Sequence, residues 1–269
     1  MPELPEIEAL RRYLLAERVV GRTVIEIDAN WPGVESTVDG MGGLSNLVGR
    51  RFQGFERRGK QIVANLDHGV LGLHMGMTGR LGVMRPEDGS FRYRRLTLYL
   101  DDERRLELDD MRRWAMVRVE ENAQAFTDNM GPDALDPEFT ASEFSRRVSA
   151  HRSHIKSVLL DQKVLAGVGN IYADEALLTA GISPARRANH ISSGRLELLH
   201  HTIVNVLGNA LRFIESNPDE QGRPYIVDAK DDRMRIPRKA GMPCPQCHTA
   251  LKAKKFGGRT AYYCPSCQH

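Results

Sequence analysis

Cysteine is absent from the first 243 of the 269 residues, and all four stand in the last 26, as Cys244, Cys247, Cys264 and Cys267. A chain with no thiol over most of its length is not a disulfide-stapled scaffold, and four clustered at one end point to a metal. Long apolar runs are missing too. No stretch of about 18 consecutive apolar residues occurs, which excludes an ordinary membrane-spanning helix. The N-terminus opens on Pro2 and Glu3 in place of a basic and then apolar leader, so a soluble, cytoplasmic protein is expected. Internal repeats and low-complexity tracts are lacking, and nothing suggests a nucleotide cofactor or a dinucleotide site.

What is present suffices for about two domains: 269 residues, 41% of them hydrophobic. The net charge of +3 hides an asymmetry. Residues 1–140 carry 19 Lys and Arg against 24 Asp and Glu, whereas 141–269 carry 19 against 11. A polyanion is expected on the basic half, although a solvated basic face has the same composition.

Residues 3–18 place Ile7, Leu10, Leu14 and Leu15 on one helical stripe, acidic early and basic late, which predicts a first helix. From about 22 to 120, short β-rich runs (TVIEIDA, QIVANL, GVLGLHM, RRLTLYL, RRLELDD, MVRVE) separated by turn residues predict antiparallel strands in a sandwich or barrel. Residues 131–140 read as a linker, and helical periodicity then takes over in 141–163, 170–180 and 193–215. Residues 216–241 are polar and punctuated by Gly and Pro, as in a long functional loop.

Three motifs carry chemistry. Cys244-x2-Cys247 and Cys264-x2-Cys267 are two knuckles spaced for one tetrahedral zinc ion, closed and therefore structural. Between them, Gly257-Gly258 predicts a two-residue hairpin turn with Arg259 beside its tip, near Lys252, Lys254 and Lys255. Next, in KVLAGVGNIY (163–172), Gly167 and Gly169 break a helix and Asn170 is placed to cap a new one. Such a corner offers backbone N–H groups to a phosphate, with Lys156 upstream. By itself this is more often a plain helix-to-helix corner. Finally, MPELPE puts proline at position 2, where loss of Met1 frees a secondary amine with a reference pKa of about 7.7 to 8.0. That amine can attack a sugar carbon and form an iminium, with Glu3 as general acid/base. Alone, Pro2 and Glu3 also suit a plain helix start.

Together and in this order, the three motifs resemble the formamidopyrimidine-DNA glycosylase and endonuclease VIII family over essentially the whole chain. MPELPE is similar to the formamidopyrimidine branch, DQKVLAGVGNIYADEAL (161–177) to the helix-two-turn-helix element, and the four-cysteine hairpin to the zinc finger. The resemblance implies an α+β protein. Residues 1–130 would form a catalytic domain, an N-terminal helix plus antiparallel β-sandwich. A helical domain over 141–215, a lesion-covering loop over 216–241 and a zinc finger over 242–269 would follow.

It implies Pro2 as the nucleophile that forms a Schiff base at C1′, Glu3 as its acid/base partner, Lys60 on a strand for β-elimination and Arg259 for δ-elimination. Asn170 and Lys156 would touch phosphates, and Met77, Arg112 and Trp114 would fill the gap left by a flipped base. Trp114 stands where the family usually has Phe, Met111 where it has Pro, and Arg95 where spacing aligns a DNA-contacting His. Residues 216–241 lack the Gly-Gly-Thr-Thr common in the formamidopyrimidine branch.

The expected function is a bifunctional glycosylase and abasic-site lyase, acting as a monomer on oxidised purines in damaged double-stranded DNA, with one structural Zn2+. Oxidised pyrimidines as substrates, or a catalytically silent damaged-DNA-binding zinc protein, are the alternatives.

Overall fold

The structure, a computed structural model, describes residues 1–29, 43–224 and 234–269. Its described residues fall into two compact units, one of 1–29, 43–128 and 214–224, the other of 129–213 and 234–269.

The first unit opens with helix α1 (Leu4–Ala16). Proline is tolerated in its first turn, where the missing N–H has no partner to lose, and Glu3 and Glu6 form a reciprocal capping box in which the Glu3 N–H donates to Glu6 Oε2 at 2.9 Å. Ile7, Leu10 and Leu14 are fully buried, but Leu15, expected on the same stripe, is 39% exposed. One residue advances a helix by about 100°, so Leu14 and Leu15 cannot both face the core.

Among the described residues, eight strands follow: β1 (Val24–Ala29), β2 (Phe52–Arg58), β3 (Gln61–Leu66), β4 (Val70–His74), β5 (Arg80–Met84), β6 (Arg94–Leu100), β7 (Arg105–Asp109) and β8 (Met116–Glu120). They build two antiparallel sheets, ordered β1-β6-β7-β5 and β2-β3-β4-β8. One apolar core joins Ile7 and Leu10 of α1 to Leu96, Leu98 and Leu106 of the first sheet and Ile62, Leu71 and Leu73 of the second. Each such side chain stabilises by about 1.5 to 3 kcal/mol on burial. Strand β4 is covered on its other face as well, where Val63 and Val70 pack on Phe126. Gly72 is required there, because a β-carbon would fall 2.1 Å from the Phe126 ring.

In the second unit, α2 (Ala141–Ser149) is capped by Thr140, whose hydroxyl accepts from the Glu143 N–H at 3.2 Å. The helical stretch expected over 141–163 is interrupted. Residues 151–154 leave the helix to pair with 187–189, and α3 (Ile155–Leu160) starts from the Ile155 N–H on the Arg186 carbonyl at 2.8 Å. Helices α4 (Asn170–Thr179) and α5 (Ser193–Ser216) agree with the expected spans. Strands β9 (Lys252–Phe256) and β10 (Arg259–Tyr263) form the C-terminal hairpin, with Gly257 and Gly258 both at positive φ.

Candidate functional site

Pro2 and Glu3 stand directly before α1 and are buried, Glu3 to 1% exposure. Lys60 belongs to the same unit but does not lie on a strand. Arg58 pairs with Gln61, so Gly59 and Lys60 are the two central residues of the turn joining β2 to β3, and Gly59 takes the φ of +57° that such a tight turn needs. The Lys60 side chain is 9% exposed.

Beside it is a residue that sequence reasoning passed over. His74 ends β4 opposite Gln61, and burial, then the nearby Lys60 charge, hold its pKa below the ordinary histidine value. Its Nδ1 accepts from the Gly76 N–H at 3.0 Å, so the neutral ring carries its hydrogen on Nε2. A neutral N–H donor next to an ammonium is a pair suited to one phosphate. The sequence signal for it was a lone histidine closing the apolar run VLGLH.

Two further loops of this unit are clamped together. Met77 is half-buried between β4 and β5, while Arg112 and Trp114 project between β7 and β8, with Trp114 54% exposed and the Arg112 guanidinium 5.7 Å from its ring centre. The clamp is Asp110, fully buried, which no sequence pattern singled out. Its carboxylate accepts from the N–H groups of Arg112 (3.1 Å), Trp114 (2.5 Å) and Ala115 (2.7 Å), and from the Thr78 hydroxyl of the Met77 loop (2.6 Å). Gly76 rests on the Trp114 backbone so closely that a β-carbon would lie 2.5 Å from its carbonyl. Met77, Arg112 and Trp114 are therefore presented by one braced assembly. Arg95 also takes part, since its Nε donates to the Asp110 carbonyl at 2.8 Å.

In the second unit, two expectations change. Asn170 is not the cap of α4 but its first residue, with Gly169 at the cap position. Its Nδ2 donates to the Thr260 carbonyl of β10 at 3.0 Å, which fixes the amide's orientation and ties the helix start to the zinc hairpin. Lys156 is wholly buried, and its ammonium donates to the Asn170 carbonyl at 2.6 Å and to Asp174 Oδ1 at 2.7 Å. An ammonium held there serves the protein itself, in contrast to the phosphate contact expected.

Asp174 is the hub of this corner. Burial pushes its carboxyl up, while the charges of Lys156 and Arg238 and the Tyr262 N–H oppose that rise. The turn before α4 is braced by Gln162, which accepts from the Gly167 N–H at 3.0 Å and donates to the Val168 carbonyl at 2.9 Å.

The four cysteines come together as expected. Their sulfurs all lie within 4.8 Å of one another, with Cys244 and Cys267 at 3.9 Å and Cys247 and Cys264 at 3.4 Å, and none is in a disulfide. Zinc–sulfur bonds of about 2.3 Å in a tetrahedron put sulfurs about 3.8 Å apart, so the set fits one closed, structural Zn2+. Leu251 and Leu178 pack against Cys244 and Cys264 in a small core, and the Gln268 side chain ties the Cys264 N–H to the Ile182 carbonyl. Arg259 is exposed beside the hairpin tip, and Lys252, Lys254 and Lys255 line β9.

Pro2, Glu3, Lys60, Met77, Arg95, Arg112 and Trp114 thus belong to the first unit, and Lys156, Asn170, Arg259 and the cysteines to the second. Of the expected lesion-covering loop, residues 225–233 lie outside the described residues.

Comparison with known proteins covers nearly all of this. Residues 1–117 match the formamidopyrimidine-DNA glycosylase N-terminal domain, 130–218 the H2TH domain of the same proteins, and 241–269 a zinc finger found in FPG and IleRS. The formamidopyrimidine-DNA glycosylase of Symbiobacterium thermophilum is 34% identical over 279 residues, covering 100% of this chain and 89% of the relative. That of Geobacillus kaustophilus is 32% identical over 277 residues, covering 100% of both. Similar solved structures include MutM in complex with DNA containing carbocyclic 8-oxo-G (28% identity, TM-score 0.84, 100% of both chains). Another is the Lactococcus lactis FPG with FAPY-dG-containing DNA (28%, 0.85, 99% of this chain and 100% of the other).

Proposed function

We propose, from the premise that this chain belongs to the formamidopyrimidine-DNA glycosylase family, that it excises oxidised purines from double-stranded DNA and then cleaves the strand as a lyase. The observation that carries this reading is the buried Pro2-Glu3 pair at the start of α1, in the same unit as the Lys60–His74 pair and the clamped Met77, Arg112 and Trp114. The relatives' complexes with 8-oxo-G and FAPY-dG support the purine class.

Loss of Met1 frees the Pro2 amine, which attacks C1′ of the damaged nucleotide as the bond from C1′ to the base breaks. Glu3 moves the proton that this exchange requires. The resulting iminium acidifies the sugar at C2′, and β-elimination then expels the 3′ phosphate, held by Lys60 with His74 beside it. Arg259 promotes the second, δ, elimination. Met77, Arg112 and Trp114 enter the space of the flipped base and offset the few kcal/mol of lost stacking. Zinc holds the hairpin that bears Arg259 and takes no part in bond making.

Borohydride trapping on duplexes carrying 8-oxoguanine, a formamidopyrimidine, an oxidised thymine or an abasic site tests the reading. A covalent adduct is expected on the purine lesions and the abasic site, and Pro2→Gly should lose most base excision while retaining DNA binding. Strongest trapping on oxidised thymine would favour the pyrimidine class, and binding without any adduct would leave a silent damage-binding protein. Normal excision by Pro2→Gly would refute the nucleophile.

A further inference from the structure

The β2–β3 turn that carries Lys60 is tied to α1 by a buried ion pair. Arg57 Nε donates to Glu8 Oε2 at 3.1 Å, and Arg57 Nη1 donates to the Gly59 carbonyl at 3.2 Å. Both side chains are only 10% exposed. The Gly59 carbonyl belongs to the peptide that leads into Lys60, so the guanidinium fixes the plane of that peptide. Its contact with Glu8 reaches the helix that starts next to Pro2. Glu8 lies five residues beyond Glu3, about 7.5 Å along the axis. The carboxylate is held in turn by Arg11 Nη2 at 2.6 Å and Arg12 Nε at 2.9 Å, so it does not swing to follow the turn.

We infer that Arg57 and Glu8 are positioning residues for the elimination step, holding the Lys60 turn in the frame of the helix whose N-terminus bears Pro2. This rests on the roles proposed above for Pro2 and Lys60. The physical reasons are three. A two-residue turn on a glycine is a hinge, since Gly59 has no β-carbon to limit its φ and ψ. Lysine has four rotatable side-chain bonds, so the backbone beneath it must be fixed if the ammonium is to be placed well. An arginine delivers two directed donors from a rigid plane, one to the carboxylate and one to the carbonyl, which a lysine at 57 cannot. Misplacement of a catalytic group by about 1 Å costs up to about 100-fold in rate.

The test compares Arg57→Met and Glu8→Gln, each alone and with Lys60→Met, in single-turnover cleavage of a preformed abasic duplex, with KM measured separately. Glu8→Gln keeps the side chain's shape, which guards against a folding defect in Arg57→Met, and circular dichroism checks both. The exposed Arg22–Asp101 pair of the same unit provides the control, Asp101→Asn, which should cleave at the wild-type rate.

The expected result is a loss of roughly 10- to 100-fold in the rate of cleavage with little change in KM. No further loss should occur when either substitution is added to Lys60→Met. The His74 imidazole provides a spectroscopic signature: its titration should move towards the ordinary histidine value in Arg57→Met, because the Lys60 charge near it is no longer held in place. Losses that multiply with that of Lys60→Met, or a wild-type rate in folded Arg57→Met and Glu8→Gln, would overturn the inference. A Lys60→Met protein that cleaves normally would instead overturn the role of Lys60 itself.

Discussion

At the scale of single residues, the site is a set of side chains whose protonation and direction are fixed by neighbours that the motifs do not include. His74 is the plainest case. Burial and the Lys60 charge both favour its neutral form, and the Gly76 N–H on Nδ1 leaves the hydrogen of the neutral ring on Nε2. Lys60→Met removes one of the two causes. The His74 pKa, followed by NMR, should then rise part of the way towards the ordinary value and stop short of it, since burial remains. An unchanged titration would mean that the Lys60 charge is not what the ring senses. Lys156 shows the converse. Its position in the sequence suggested a phosphate contact, yet the structure places the ammonium between Asn170 and Asp174, because a buried cation is stable only when paired. Spacing alone cannot tell a lysine that reaches for a ligand from one that supports the helix behind it.

At the scale of elements, most helices and the zinc hairpin are legible in the sequence, but the break between α2 and α3 and two of the strands are not. β2 and β5 escaped notice because their patterns are masked: FQGFERR has three charged residues among seven, and RLGVM is short and opens on arginine. Such strands are specified by their partners across the sheet, which local periodicity does not show. The clamp at Asp110 was hidden for the same reason, since a carboxylate that receives three backbone N–H groups looks in sequence like any loop aspartate. Asp110→Ala should destabilise the protein by about 3 kcal/mol, because one buried and three partly buried donors lose their acceptor. Excision from duplex DNA should fall further than excision from a single strand, where no gap needs filling. Equal losses on both would show that the loops are not the gap-filling element.

The hairpin makes a similar argument for zinc. Two five-residue strands are marginal alone, so the metal and the small core around Leu251 must hold them. Protein stripped of zinc should retain its sheet signal by circular dichroism and lose its affinity for duplex DNA. Full affinity in protein shown to be metal-free would refute this role.

At the scale of the whole molecule, the motifs mark the chemistry, but the stability of the unit that holds Pro2 depends on a charge network that has no motif. Glu8 is its centre. Burial alone would raise its carboxyl, but hydrogen bonds from Arg11 and Arg12 and the charges of Arg11 and Arg57 outweigh this and bring the pKa to about 2, from an ordinary value of 4.5. A carboxyl with a lowered pKa in the folded state stabilises the fold at every pH above its unfolded value, and that contribution is lost as pH falls through the folded one. The window therefore runs from about pH 4.5 down to about 2. Each pKa unit corresponds to about 1.4 kcal/mol, and partial exposure of the arginines reduces the total to about 2 to 3 kcal/mol. Glu8→Gln removes the titrating group and keeps its shape. In urea denaturation the stability difference between wild type and Glu8→Gln should be at its full size at pH 6 and shrink steadily between pH 4.5 and the lowest pH at which the protein folds. A difference that stays constant across that range would mean that Glu8 acts by packing alone. The acid sensitivity of the unit would then have to come from groups other than Glu8.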